Sequence, residues 1–256
     1  ADLLERFGDP AMGARLRREA GQLRERILER FWLEDADTFA LALDGHKRPL
    51  PTSTSNAGHL LWSRVPTADQ ARCTARTLLG PGLFSGWGIR TLSAEHPVYN
   101  PMSYHDGSVW PHDNAIVALG LSLSNEKPLV TPVLHALYQA ALGMRYRRLP
   151  ELFCGMRRDR SAHPVAYPVS CSPQAWASGA FFMLVQATLG ILPDAPAGQL
   201  HIREPLLPDF LTELVVAGMR VGQSRVTLQF TRRGSRTLAN LLEAEGAPLR
   251  VSIELR

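Results

Sequence analysis

With 256 residues, 45% of them hydrophobic and 20% charged, the chain has apolar material for one large soluble domain or two small ones. Its net charge of +4 is carried by scattered arginines ("RLRREAGQLRER", "RYRRL", "TRRGSR") rather than by one basic run with interleaved aromatics, which argues against a nucleic-acid partner. Cys73, Cys154 and Cys171 are odd in number and lack CxxC spacing, which argues against a disulfide framework or a structural zinc.

The opening "ADLLERFGDP" is charged, turns at Gly8-Asp9-Pro10 and does not read as a secretory leader. Leu16, Ala20, Leu23, Ile27 and Phe31 then recur at helical spacing, predicting an amphipathic helix over 13–31. "TFALALDGHKRPL" alternates and turns at Asp44-Gly45, as a short hairpin or extended loop does. "SNAGHLLWS" predicts a Ser- or Asn-capped helix with Leu60, Leu61 and Trp62 on its apolar face. Thr67 caps a further helix that stops at Gly80.

Between Pro81 and Pro111, glycines, prolines and five aromatics crowd into a long irregular stretch. Loops of that length are functional or disordered, and the aromatics favour function. Helical patterns return in "HDNAIVALGLSLS" and "PLVTPVLHALYQAALGM". A second irregular stretch covers 145–172, and "PQAWASGAFFMLVQATLG" predicts a helix with Pro173 in its first turn. The apolar run 176–192 is interrupted by Ser178, Gly179, Gln186, Thr188 and Gly190, so it suits a core helix rather than a membrane span. From about Gly198 the pattern alternates as strands do, with a turn at Gly222-Gln223. A reducing, cytoplasmic setting is the expectation, with no membrane partner and no cofactor.

Long loops rich in Trp, His, Asp and Glu suit a pocket for a polar, ring-shaped ligand. Sugar rings offer C–H faces to aromatic planes, and their hydroxyls need directed partners. Trp62, Trp87, Tyr104 and Trp110 are candidate planes; His59, Arg90, His105, Asp106, His112 and Asp113 are candidate hydrogen-bonding groups. Each has a plainer reading. Trp62 fits a core face, Trp110 a staple at a helix start, and Asp113 a first-turn acid favoured by the helix dipole. His105, Asp106 and His112 lack a metal-binding spacing such as HExxH, so no metal is expected. Glu151, in "RRLPELFCG", is an acid among apolar residues, which is costly unless it is paired or used.

In order, "TSNAGHLLWS", "FSGWGIRTLS", "YNPMSYHDGSVWPHDNAIVALGL", "RLPELFCG" and "YPVSCSPQAWASGA" resemble the bacterial amylo-α-1,6-glucosidase or glycogen-debranching-like family of six-hairpin, (α/α)6-barrel glycosidases. The resemblance extends from about Leu16 to Phe230. It implies an inverting hydrolase with two carboxylates, of which Glu151 matches the general base ahead of the Gln174-Ala175-Trp176 helix start. An ion pair of Glu151 with Arg147, Arg148 or Arg157 is the competing reading. The resemblance adds Gln174 and Trp176 to Trp87, Arg90, Tyr104, His105, Asp106, Trp110, His112 and Asp113 as substrate contacts.

The "GWKDS"-like motif that would hold the general acid does not occur, and the helices amount to about half of the twelve in a complete barrel. The fold expected is therefore mainly α: an incomplete (α/α)6 toroid over 1–197 with a β-rich segment over 198–256. This corresponds to the C-terminal half of a longer enzyme, inactive alone, whose partners are an oligosaccharide or α-glucan and either the missing N-terminal half or a second copy. The alternative is a carbohydrate-binding or regulatory remnant without chemistry, and a third reading is a helical scaffold for protein partners.

Overall fold

The computed structural model describes residues 1–255. Helix α1 (Asp2–Phe7) leads into α2 (Pro10–Phe31), which starts three residues earlier than the apolar spacing predicts. The reason is local: the Asp9 carboxylate accepts the Ala11 and Met12 amides, and Pro10, which has no amide to satisfy, fills the first helical position. Strands β1 (Trp32–Leu33) and β2 (Thr38–Phe39) form a small antiparallel pair, and the turn at 44–47 follows.

Helices α3 (Asn56–Trp62), α4 (Ala68–Leu79), α5 (Pro111–Leu123), α6 (Val130–Leu142) and α7 (Ala175–Leu189) make the body of the molecule. Helix α5 packs on α3 along one side and on α7 along the other, while α4 and α6 back this row. Small residues let the three inner helices approach. A Cβ at Gly58 would overlap Val117, and one at Gly120 would lie 2.7 Å from the Trp62 amide nitrogen. On the other side of α5, Ala115 and Ala118 share a buried cluster with Ala177, Ala180, Leu184 and Ala187 of α7. The described residues form seven helices, an open row rather than a closed twelve-helix ring. None of these helices is long and apolar enough to cross a membrane.

Three expectations are corrected here. Pro173 precedes α7 by two residues, and Gln174 takes the N-cap position without a side-chain bond. Trp62 is about half exposed rather than packed in the core, and Leu61 fills that role instead. Strand pairing also begins before Gly198: β3 (Ile191–Asp194) pairs antiparallel with β4 (Gln199–Arg203), so the β-rich part starts at Ile191.

Beyond them, β5 (Glu213–Val221), β6 (Ser224–Arg233) and β7 (Arg236–Gly246) form an antiparallel sheet. Its first hairpin turns at Gly222, whose positive φ of 61° a residue with a Cβ tolerates poorly. Strand β8 (Arg250–Glu254) returns to run parallel with β4. These strands enclose a second core around Leu200, Ile202, Leu228 and Phe230. At the seam between helices and strands the Lys127 ammonium is buried on the Arg203 carbonyl, and burial pulls its pKa down to about 8.

Candidate active site

The two irregular stretches are ordered by pairing with each other. Val109 and Phe153 exchange two backbone hydrogen bonds of 2.9 and 3.0 Å. Arg90 lies beside Val109 and Ala166 beside Phe153, so single residues from four loop segments form a short ladder. Ile89, Val109, Leu152 and Phe153 are fully buried beneath it. Gly155 seals the arrangement. Its carbonyl accepts from Arg90 Nε at 2.7 Å and from the Tyr99 hydroxyl at 3.0 Å, and any Cβ there would strike the Gly107 carbonyl.

The ladder brings Tyr104, Trp110 and Glu151 together at the N-terminal ends of α5 and α7. The Tyr104 hydroxyl donates to Glu151 Oε1 at 2.6 Å, and the Cys171 amide donates to Oε2 at 3.2 Å. The Glu151 amide in turn donates to the Cys171 carbonyl at 2.9 Å. Among the described residues no lysine or arginine pairs with Glu151, so the competing ion pair with Arg147, Arg148 or Arg157 does not form. The phenol and the amide hold the Glu151 carboxyl below the usual glutamate range, and the positive character of nearby His112 adds to this. The same hydrogen bond pushes Tyr104 up to about 12.

An aromatic cluster surrounds this carboxylate. The Tyr104 ring meets His105 edge-on at 4.6 Å and Trp110 at 4.8 Å, and it tilts against Tyr167 at 5.7 Å. His105 stacks parallel to Trp110, and His112 lies 3.9 Å from the ring of Trp176, which is 62% exposed. Trp176 and His112 also flank a shallow cleft between α5 and α7, floored by Ala115, Ala180 and Met183. Burial lowers the His112 pKa, and its Nδ1 is buried without a partner. Beneath, Asp113 Oδ1 lies 2.6 Å from His59 Nε2, a contact that raises the His59 pKa.

Tyr104, His105, Trp110, His112 and Trp176 therefore form one linked cluster reaching Glu151 through Tyr104, while Gln174 caps α7 with its side-chain oxygen buried and unpartnered. Asp106 stays at the surface, accepting from Ser103 Oγ at 2.9 Å. Two expected contacts are corrected. Arg90 is fully buried: its Nε donates to the Gly155 carbonyl, its Nη1 to those of Pro81 and Gly82, and its Nη2 is buried without a partner. Trp87, 4% exposed, belongs to the helical core under Arg158. Both fasten loops and offer no face to a ligand. Asp113 gives Oδ1 to His59 and leaves Oδ2 buried without a partner. Tyr167 and the Cys171 amide were missed; the only signal for them was that the 145–172 stretch carries a tyrosine among its prolines and serines. Among the described residues no cluster of three His, Cys, Asp or Glu could hold a metal.

A family model for the mannosylglycerate hydrolase MGH1-like glycoside hydrolase domain matches residues 1–149, and the chain belongs to that family. The match covers the loop from Trp87 to Asp113 and ends two residues before Glu151. Among solved structures, one called a sialidase superposes with a TM-score of 0.72 at 12% identity, covering 91% of this chain and 23% of its own. Neutral trehalase Nth1 from Saccharomyces cerevisiae gives 0.55 at 14% identity, over 73% of this chain and 34% of its own. A GH63 mannosylglycerate hydrolase from Thermus thermophilus gives 0.48 at 19%, over 61% and 37%. At such identities the first two show a shared fold. The chain spans between 23% and 37% of the length of these solved proteins. No curated protein sequence matches it.

Proposed function

We propose that this chain is part of an inverting glycosidase of the amylo-α-1,6-glucosidase kind, which hydrolyses α-glucosidic linkages in an oligosaccharide or α-glucan. One observation supports it above the others: Glu151 is held by a phenol and an amide rather than by a cation, and sits beside exposed rings. A carboxylate so held can accept a proton from water, and in this reading Glu151 is the general base. Trp110, Tyr104, His105 and Trp176 offer planes for sugar faces, while His112 and Gln174 supply polar atoms. The partner acid, about 6.5–9.5 Å away in an inverting pair, comes from hairpins outside this chain, and the enzyme works in the cytoplasm.

In the full-length protein, E151Q is expected to lower turnover by roughly 10²- to 10⁴-fold while oligosaccharide affinity stays within a few-fold. Steady-state kinetics with calorimetric binding would check it, and unchanged turnover would sink the assignment. Robust hydrolysis of maltooligosaccharides by residues 1–256 alone would overturn the absent acid.

A second reading, a non-catalytic carbohydrate-binding or regulatory remnant, draws on the commitment of the neighbouring acids: Asp113 to His59 and Asp106 to Ser103. Under it, E151Q changes affinity and there is no turnover to lose.

A further inference from the structure

We infer that Tyr104 is the positioning residue of Glu151: its hydroxyl fixes the orientation of the carboxylate and ties the base to the aromatic surface on which a sugar would rest. The inference builds on the reading of Glu151 as the general base.

A glutamate side chain on a loop has three rotatable bonds, and a base that wanders loses alignment with its water. Here both carboxylate oxygens are held from separate loop segments. Oε1 accepts from Tyr104 at 2.6 Å and Oε2 from the Cys171 amide at 3.2 Å. Each oxygen keeps a further lone pair, so the clasp leaves room for a water.

The phenol is itself immobilised. The Tyr104 carbonyl accepts from Ser108 Oγ at 2.6 Å and from Trp110 Nε1 at 3.2 Å, so the backbone beneath the ring is pinned twice. Edge contacts with His105 and Trp110 and a tilted one with Tyr167 then restrict the ring. A sugar laid against Trp110 would press on the same ring that carries the hydroxyl. Substrate seating and base orientation therefore share one rigid part.

The titratable groups facing Glu151 are Tyr104, Cys171 and His112. Those facing Tyr104 are Glu151, Cys171 and Tyr167, with His105 against its edge. A mere clasp between loops would contribute to stability alone. A positioning residue also sets the proton affinity of the base, which gives a readout that stability does not move.

The first measurement is an ultraviolet titration of the phenols in residues 1–256, which contain five tyrosines. One should ionise near 12. E151Q should return it to about 10, and Y104F should remove it. The second is calorimetric binding of 1-deoxynojirimycin, a cationic iminosugar, across the acidic pH range. Binding should weaken as Glu151 takes up its proton, and Y104F should move that midpoint upward in pH while the fold, followed by circular dichroism, is retained.

A late phenol that ignores E151Q overturns the pairing, and this holds even where Y104F fails to fold. An unmoved midpoint in a folded Y104F overturns the positioning role. If E151Q binds the iminosugar with the pH profile of the unaltered chain, the general-base reading falls. The phenol titration then still decides separately whether Tyr104 and Glu151 are joined.

Discussion

Charged side chains in this molecule meet burial in two ways. Glu151 lies among Leu149, Leu152, Phe153 and Cys154, all buried, yet its own carboxylate emerges onto the aromatic cluster. Arg90 and Lys127 go inward and meet backbone carbonyls instead of acids, with Arg90 Nη2 left buried and unpartnered. An acid in an apolar run is conspicuous in a sequence because its burial is costly, and Glu151 was legible for that reason. Arg90 was not, since its partners are carbonyls from two distant places along the chain, 81–82 and 155, which have no sequence signature. Lys127 allows a check on sign. Its folded pKa of about 8 lies below the ordinary 10.5, so folding disfavours the charged form. Stability should therefore rise with pH between about 8 and 10.5 and level off above. Urea titrations at several pH values should show that rise flattened in K127M, and an identical pH profile for the variant would contradict it.

At the level of elements, the helices follow from periodicity and caps, and the site follows from pairings between loops. Thr67 and Gln70 form the full reciprocal capping box, so α4 begins where its sequence says. The order 90–109–153–166 was not readable, because each segment contributes a single paired residue and no alternation can develop. Tight approaches replace periodicity there. In G155A the new methyl would collide with the backbone of Gly107, and neither partner is a flexible side-chain end. The variant should lose roughly 1–3 kcal/mol of stability, as overpacked sites do. It should also loosen the hold on Glu151, visible as loss of the late-ionising tyrosine. Unaltered urea unfolding would show that the loops part freely.

For the whole molecule, the glycosidase character was legible because five motifs arrive in order. The debranching specificity goes beyond the family match, which is to an MGH1-like glycoside hydrolase domain over residues 1–149 and names no α-1,6 linkage. The inner row α3–α5–α7 leaves α7 with one side unpacked, and Phe182 there is 81% exposed. Apolar surface of this kind drives association, and we expect residues 1–256 to self-associate, or to bind further hairpins, through that side. Sedimentation velocity should find oligomers that F182E reduces to monomer; a strictly monomeric unaltered chain would refute the expectation.

The three thiols differ in reach. Burial raises the pKa of both Cys73 and Cys154 and keeps them protonated, whereas Cys171 stands exposed on the residue whose amide grips Glu151. A maleimide dye would consequently settle at Cys171 first. Attached there, it becomes a lamp placed beside Glu151, and guests could be watched arriving by a change in its glow.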